Sequence, residues 1–409
     1  MRLLLTTWGS RGDVQPLVAL TVALRGLGAE TVVCAPPDEE FAVLLDRAGV
    51  PLVPVGPTVR SVTAGAKPPT AADAVKLASD LVAEGFGTLA AAAEGCDVVL
   101  ANGMMAAAGA RGAAERLGIP YVYACYHVRG LPPRKTAPEA SGQPAQDAAD
   151  KAHWEQGQKA IAMFADALGS HRAGAGLPPV EDFLDYVYTD RPWLAADTVL
   201  CPAPPDRPDL DVVQTGAWIL PDHRPLPDGL EAFLAAGTPP LYVGFGSMAT
   251  ASPGETAKVA IEAGRALGRR VILARGWAGL APIDGAEDCF VVGDVNQQAL
   301  FPRVAAIVHH GGAGTTTTAS LSGTPQVVVP QIGDQPSWAA SVADLGIGVA
   351  HQGPTATVES LTSALTTALA TQTGTRAAAV ADTMRTNGAV VAAQLLLDVA
   401  TTQRPPTTE

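Results

Sequence analysis

The residue order predicts an α/β protein made of two Rossmann-like domains, each on a parallel sheet. Three observations carry this. Short apolar runs alternate with helical periodicity along most of the chain, and no two-residue hairpin signal joins neighbouring strands, so helices must cross over between parallel strands. The alternation breaks off in a proline-rich stretch and then restarts. A length of 409 residues suits two ordinary domains.

The elements follow in order. Arg2–Thr7 is a short apolar run, and the turn-rich Trp8–Val14 separates it from a helical pattern opened by Pro16 at a first-turn position. Leu17, Leu20, Leu24 and Leu27 lie on one face of that helix, and Gly28 ends it. Thr31–Cys34 is the next strand, bounded by Ala35-Pro36-Pro37. A helix through Glu39–Ala48 then leads by Gly49-Val50-Pro51 into another strand. Asp97–Ala101 and Tyr121–Ala124 continue the series, the second introduced by Gly118-Ile119-Pro120.

Two stretches interrupt the rhythm. His127–Asp147, mixed in proline, alanine and charge, reads as a surface excursion. Val199–Gly237 contains Pro202, Pro204, Pro205, Pro208, Pro221, Pro225 and Pro227 and reads as an interdomain linker. Strands then recur at Leu241–Gly244, Val271–Ala274, Cys289–Val292, Ala305–His309 and Gln326–Val329, most of them followed by a helical pattern. The expected layout is a first domain over residues 1–198, a linker over 199–237 and a second domain over 238–386. Residues 387–409 hold a last helix, Gly388–Ala400, that returns to the first domain, and a tail.

Apolar residues make up 47% of the chain, enough to fill two cores. The net charge of −13 argues against nucleic acid, whose binding depends on neutralising phosphates with Lys and Arg. It does not exclude a small anion, which backbone N–H groups can hold. Cys34, Cys96, Cys125, Cys201 and Cys289 show no CxxC and no metal spacing, and read as reduced core thiols. The opening residues are too short an apolar run for a signal peptide, and no stretch approaches the roughly 20 residues of a membrane span. A cytoplasmic protein with no integral membrane contact is expected.

Three turns rich in Gly, Ser or His follow expected strands and precede expected helices, where open parallel sheets bind ligands. The strongest is His309-His310-Gly311-Gly312-Ala313-Gly314-Thr315-Thr316. Glycine lets backbone approach a ligand closely, and a helix N-terminus offers free N–H groups with partial positive charge. An imidazole there can donate to a phosphate oxygen; two packed histidines on a glycine turn are the alternative. Gly244-Phe245-Gly246-Ser247 is the second turn, equally consistent with a tight turn and a capping serine. In the third, Gly9-Ser10-Arg11-Gly12-Asp13, the aspartate precedes Pro16 by three residues and can simply cap that helix. No Gly-x-Gly-x-x-Gly and no Gly-x-x-x-x-Gly-Lys-Ser/Thr occurs, which argues against nicotinamide, flavin and ATP-hydrolysis chemistry.

Read together, Met1–Gly9 with Ser10-Arg11-Gly12-Asp13, Ala35-Pro36-Pro37, Gln214-Thr215-Gly216-Ala217-Trp218, Gly244-Phe245-Gly246-Ser247, Arg275-Gly276-Trp277, the His309–Thr316 turn and Asp334-Gln335-Pro336 resemble the family-one glycosyltransferases of GT-B fold. The resemblance spans nearly the whole chain in order. It is tightest to the actinomycete antibiotic branch, the vancomycin-group glycopeptide glycosyltransferases.

The resemblance implies two facing Rossmann-like domains, the first holding an acceptor and the second a nucleotide diphosphate sugar. The His-His-Gly-Gly turn then holds the donor diphosphate: His310 contacts phosphate, and its neighbours His309, Gly311, Gly312, Gly314 and Thr315 complete the turn with backbone and hydroxyl donors. Ser10, Arg11 and Ser247 resemble further diphosphate contacts, and the Val295 backbone falls where the base is paired. Asp334 and Gln335 match the pair that grips sugar hydroxyls, and Asp13 is the implied base, with Asp334 its rival. A free aspartate has a pKa near 3.9, so as a base it needs desolvation.

Two departures stand out. Many relatives place a histidine at the Asp13 position, and many place a base-stacking tryptophan at the Asp294 position, where Trp277 becomes the candidate substitute. Asp209-Leu210-Asp211 matches the acidic metal motif of a different glycosyltransferase class but lies in the expected linker, so no metal site is assigned.

The expected activity is inverting transfer from UDP-glucose or a TDP-deoxysugar to a hydroxyl of an antibiotic aglycone, a glycopeptide first and a polyketide or aromatic acceptor second. The nucleotide sugar is a co-substrate, and no cofactor is expected. A nucleotide-sugar epimerase and a catalytically silent partner are the rival classes.

Overall fold

Leu3, Leu4 and Leu5 are fully buried, as are the four apolar residues Val98–Ala101, because strands covered by helices on both faces read as continuous apolar runs. These runs form the centre of a seven-stranded sheet in the computed structural model, which describes residues 1–63, 70–134, 144–205, 207, 209–248 and 252–402. Its strands are β1 (Arg2–Thr7), β2 (Glu30–Ala35), β3 (Leu52–Pro54), β4 (Val98–Asn102), β5 (Tyr121–Cys125), β6 (Trp193–Leu194) and β7 (Val213–Gln214). They lie in the order β3-β2-β1-β4-β5-β6-β7, and every pairing is parallel.

A second parallel sheet contains β8 (Leu241–Gly244), β9 (Val271–Ala274), β10 (Cys289–Val292), β11 (Ala306–His309), β12 (Gln326–Val328) and β13 (Gly348–Ala350). Its order is β10-β9-β8-β11-β12-β13. Leu241, Val243, Val271, Leu273 and Val308 fill the core on one face, and Tyr242, Ile272, Ile307 and Phe301 that on the other. Strand order reverses between β1 and β4 in the first sheet and between β8 and β11 in the second. Such reversals open the crevice where doubly wound sheets take ligands.

The chain divides into two compact units, one built from Met1–Ala196, Ala203–Leu220 and the segment from Thr386, the other from Asp197–Pro202 and Pro221–Arg385. The proline-rich stretch is therefore not a separate linker. Its residues Val213–Gln214 are the edge strand of the first sheet, and Asp228–Ala235 form a helix that buries Leu230 and Leu234 against the second. A strand of two residues is too short to show a period, so its prolines dominated the pattern. The last helix, Gly388–Thr402, packs on the first unit, where Gly388 lies against Gly216 so closely that a Cβ would come within 2.4 Å of the Ala217 carbonyl.

Two further boundaries differ from expectation. The first helix spans Arg11–Gly26 with Ser10 as its N-cap, so Pro16 sits inside it rather than at its start. Its ring removes the donor for the Gly12 carbonyl, tolerated because Gly12 is exposed to water. Residues 135–143 of the expected excursion lie outside the described residues. From Pro144 the chain is a helix to Gly174, with Ile161, Phe164 and Leu168 buried; proline suits a first helical position. Among the described residues, no helix is long and apolar enough to cross a membrane.

Candidate functional site

In the second unit the turns after β8 and β11 lie side by side, since Gly244 and His309 are register partners. His309 and His310 then take opposite roles. His309 is fully buried; its Nδ1 accepts from the Gly311 N–H at 3.0 Å, which leaves Nε2 to donate to Gln326 Oε1 at 2.8 Å. Gln326 in turn donates to Ser320 Oγ at 2.8 Å, on the following helix. Burial, with His310 nearby, lowers the His309 pKa to about 3, so it is neutral. Both ring nitrogens are spent on the protein. The His309 side chain is thus a structural brace of the turn. The Gly311 N–H is likewise committed to it. Gly311 is needed instead for its φ of +90° and because a Cβ would stand 2.7 Å from Val328 Cγ1.

His310 is held between two glycines. A Cβ on Gly312 would fall 2.5 Å from its Nε2, and one on Gly246 would fall 3.2 Å from its Cε1. Its Nδ1 is buried and has no hydrogen-bond partner among the described residues, and burial lowers its pKa to about 4. A buried unpaired ring nitrogen is costly unless something else satisfies it. The adjoining helix Ala313–Leu321 starts at Gly312 with no side-chain cap, so the N–H groups of Ala313, Gly314 and Thr315 have no intrahelical partner. A neutral imidazole beside an uncapped helix N-terminus, at a strand-order reversal, is chemistry suited to an anion.

Neighbouring loops brace this turn. The Trp277 N–H donates to the Gly246 carbonyl at 2.9 Å, and Gly276, at φ +49°, leaves the room this needs. Ser247 and Trp277 therefore belong to joined turns at the ends of β8 and β9. Val295 turns its side chain into the core, leaving its backbone as the part that can face a ligand. Asp294, at the expected tryptophan position, is paired with Arg224 at 2.8 Å, and Arg224 is also gripped by Asp222. Asn296 donates to the carbonyls of Asp222 and Arg224, both at 2.8 Å. That brace was invisible in the sequence because its halves lie about 70 residues apart.

In the turn after β12, Asp334 accepts from Trp338 Nε1 at 2.8 Å. Gln335 is 6% exposed; its amide oxygen accepts from the backbone of Gln331 and Ile332, and its nitrogen reaches Met248 Sδ. Gln335 thus shapes the turn through its amide oxygen. Asp209 and Asp211 are ion-paired with Arg207 and Arg191, and no cluster of His, Cys, Asp or Glu among the described residues can hold a metal.

In the first unit, the turn after β1 carries Asp13. Ser10 caps the helix by accepting from the Gly12 N–H at 3.2 Å, and its hydroxyl donates to Asp13 Oδ2 at 3.3 Å. The carboxylate lies over Gly9, where a Cβ would stand 2.2 Å from Oδ2. Arg11 bonds Gln15 at 2.9 Å. Asp13 is thus a first-turn residue of the helix, not a cap three residues before it.

A pH dependence of stability follows from the two histidines. Their folded values of about 3 and about 4 lie below the ordinary 6.5, so between those values the unfolded chain binds more protons than the folded one. Stability should be level above neutrality and fall as pH drops from 6.5 towards 4. Urea unfolding across that range should show a shallower decline for His310→Ala. Equal slopes would mean that folding does not shift His310.

Comparison with known proteins places the chain in a family. Residues 286–392 match the family described as erythromycin biosynthesis protein CIII-like, C-terminal domain. The solved glycosyltransferase of kitacinnamycin superposes with a TM-score of 0.73 at 23% identity over 99% of both chains. VinC, solved with dTDP, gives 0.67 at 22% identity, covering 98% of this chain and 99% of that one. The fold is thus that of the GT-B glycosyltransferases. At the sequence level, glycosyltransferase GtfE of Amycolatopsis orientalis is 55% identical over 411 residues, covering 99% of each chain. The vancomycin aglycone glucosyltransferase of that organism is 53% identical, and its dTDP-epi-vancosaminyltransferase 51%, again over 99% of each chain. The chain belongs to the family-one glycosyltransferases, in their vancomycin-group branch.

Proposed function

We propose that the chain transfers a sugar from a nucleoside diphosphate sugar, UDP-glucose or a TDP-deoxysugar, to a hydroxyl of a glycopeptide antibiotic aglycone, inverting the anomeric centre. The observation that carries the donor half is His310, whose buried Nδ1 lacks a partner among the described residues beside an uncapped helix N-terminus. Relatives named for a vancomycin aglycone and for an epi-vancosaminyl donor support the acceptor class and leave both donor types in play.

In the proposed reaction the acceptor oxygen attacks the anomeric carbon as the bond to the diphosphate breaks. Asp13 takes the hydroxyl proton. His310, the N–H groups of Gly312, Gly314 and Thr315, and the side chains of Ser247, Ser10 and Arg11 receive the charge on the leaving diphosphate. Fixed donors do this best where water is excluded. The Val295 backbone pairs with the base, Trp277 flanks the nucleotide, and Asp334 and Gln335 bind sugar hydroxyls. These roles give the units their assignments: acceptor to the first, donor to the second. The enzyme acts in the cytoplasm and uses no cofactor beyond its co-substrate.

Incubation with UDP-glucose, TDP-sugars and a panel of aglycones, read by mass spectrometry, tests this. A glycopeptide aglycone should gain one sugar. Epimerised donor without acceptor would instead mark an epimerase, sugar on polyketides alone would reassign the acceptor, and no product from any pair would favour a silent partner. Transfer should survive EDTA, because Asp209 and Asp211 are already neutralised by arginines. Loss restored by magnesium or manganese would overturn the metal-free reading.

A further inference from the structure

We propose that Tyr126 is a positioning residue for transfer: its hydroxyl clamps the main chain of Asp13 and so aims the carboxylate that takes the acceptor proton. The proposal rests on reading Asp13 as the base.

Tyr126 follows β5, which is separated from β1 by β4 in the sheet. Its hydroxyl nevertheless reaches the Asp13 carbonyl, donating at 3.1 Å across 113 residues of sequence. The ends of all three strands are stitched beneath it. Thr7 Oγ1 donates to Asn102 Oδ1 at 3.2 Å, and Asn102 Nδ2 donates to the Ala124 carbonyl at 3.3 Å. This is the strand-order reversal of the first sheet, the place where a doubly wound sheet meets its ligand.

The first turns of the helix have less internal bonding here. Pro16 has no N–H, so the Gly12 carbonyl loses its helical donor, and the turn carrying Asp13 is held by one bond fewer. Tyr126 supplies a bond to that turn from another element. The tyrosine is itself fixed: its ring meets Trp218 edge to face at 5.7 Å between centroids, and Trp218 Nε1 donates to Thr215 Oγ1 at 3.0 Å. Burial raises the phenol pKa well above its ordinary value of 10, with the nearby Asp13 charge adding to this, so the hydroxyl remains a donor at working pH. On the side-chain end, Ser10 Oγ and the bare Gly9 leave the carboxylate one seat. Backbone and side chain of Asp13 are constrained separately, and Tyr126 sets the backbone.

Tyr126→Phe keeps the ring and its contact with Trp218 and removes only the clamp. Misplacement of a reacting group by about 1 Å can cost on the order of 100-fold, so kcat should fall by roughly 10- to 100-fold, with KM for the nucleotide sugar little changed. The deciding measurement is a cycle with Asp13→Asn, with melting curves taken on all four proteins. If Tyr126 works through the base, Tyr126→Phe should cost nothing further in the Asp13→Asn background. An equal loss in both backgrounds, or a lower melting temperature with unchanged kcat, would show a plain structural contact and overturn the proposal. Wild-type turnover by Asp13→Asn alone would overturn the reading of the base, and this proposal with it.

Discussion

Asp13→Asn should lower kcat by about 100- to 10,000-fold, the range general bases contribute, while nucleoside diphosphate affinity stays unchanged. At about 1.4 kcal/mol per tenfold, that is roughly 3–5.5 kcal/mol of barrier. Asparagine matches aspartate in shape and keeps the seat over Gly9 and a partner for Ser10, so the helix start should survive. A lost proton acceptor shows in turnover and not in donor binding. Rates for the variant and wild type, with diphosphate titrations by calorimetry, separate these quantities. If Asp13→Asn turns over normally, Asp13 serves only as an acidic first-turn residue favouring its helix. The proton then goes to Asp334 or to the substrate.

His310→Ala should weaken nucleoside diphosphate binding by about 1.5–3 kcal/mol, the cost of a lost hydrogen bond to a charged group. Affinity for the nucleoside without phosphates should hold, since the base is assigned to the Val295 backbone on a different loop. Calorimetry with nucleoside, monophosphate and diphosphate resolves the cases. Loss confined to phosphate-bearing ligands supports the diphosphate role. An equal loss for all three means a damaged pocket, and no loss for the diphosphate makes His310 a packing residue. The variant should also unfold with less dependence on acid, because one buried neutral imidazole is gone.

Much of the turn geometry was legible in advance because turn chemistry at the ends of parallel strands is local. Gly311, Gly312 and Gly314 stand in sequence with His310 at the start of a helix, and the physics that selects them acts over a few residues. Locality says less about the partners of His309 and Gln335. Each sits in the motif, but its polar atoms are taken by Gln326 and Gly311 in one case and by Gln331, Ile332 and Met248 in the other. Which of two adjacent histidines faces inward depends on the strand ending at residue 309, whose alternation puts one ring in the core and the next at the rim.

Residue order alone was enough for most of the strands, the crossover helices, the parallel sheets and the glycine turns, because periodicity and turn chemistry are carried within short segments. Pairing across the sheet was not. The adjacency of β8 to β11, which places Gly246 against His310, joins residues 64 positions apart. The reach of Tyr126 to Asp13, the edge strand inside the proline-rich stretch and the Arg224–Asp294 brace are likewise long-range. No local pattern encodes such contacts. They are set when buried apolar faces choose their neighbours, and only then does a lone tyrosine after β5 acquire a partner in the first turn of a distant helix.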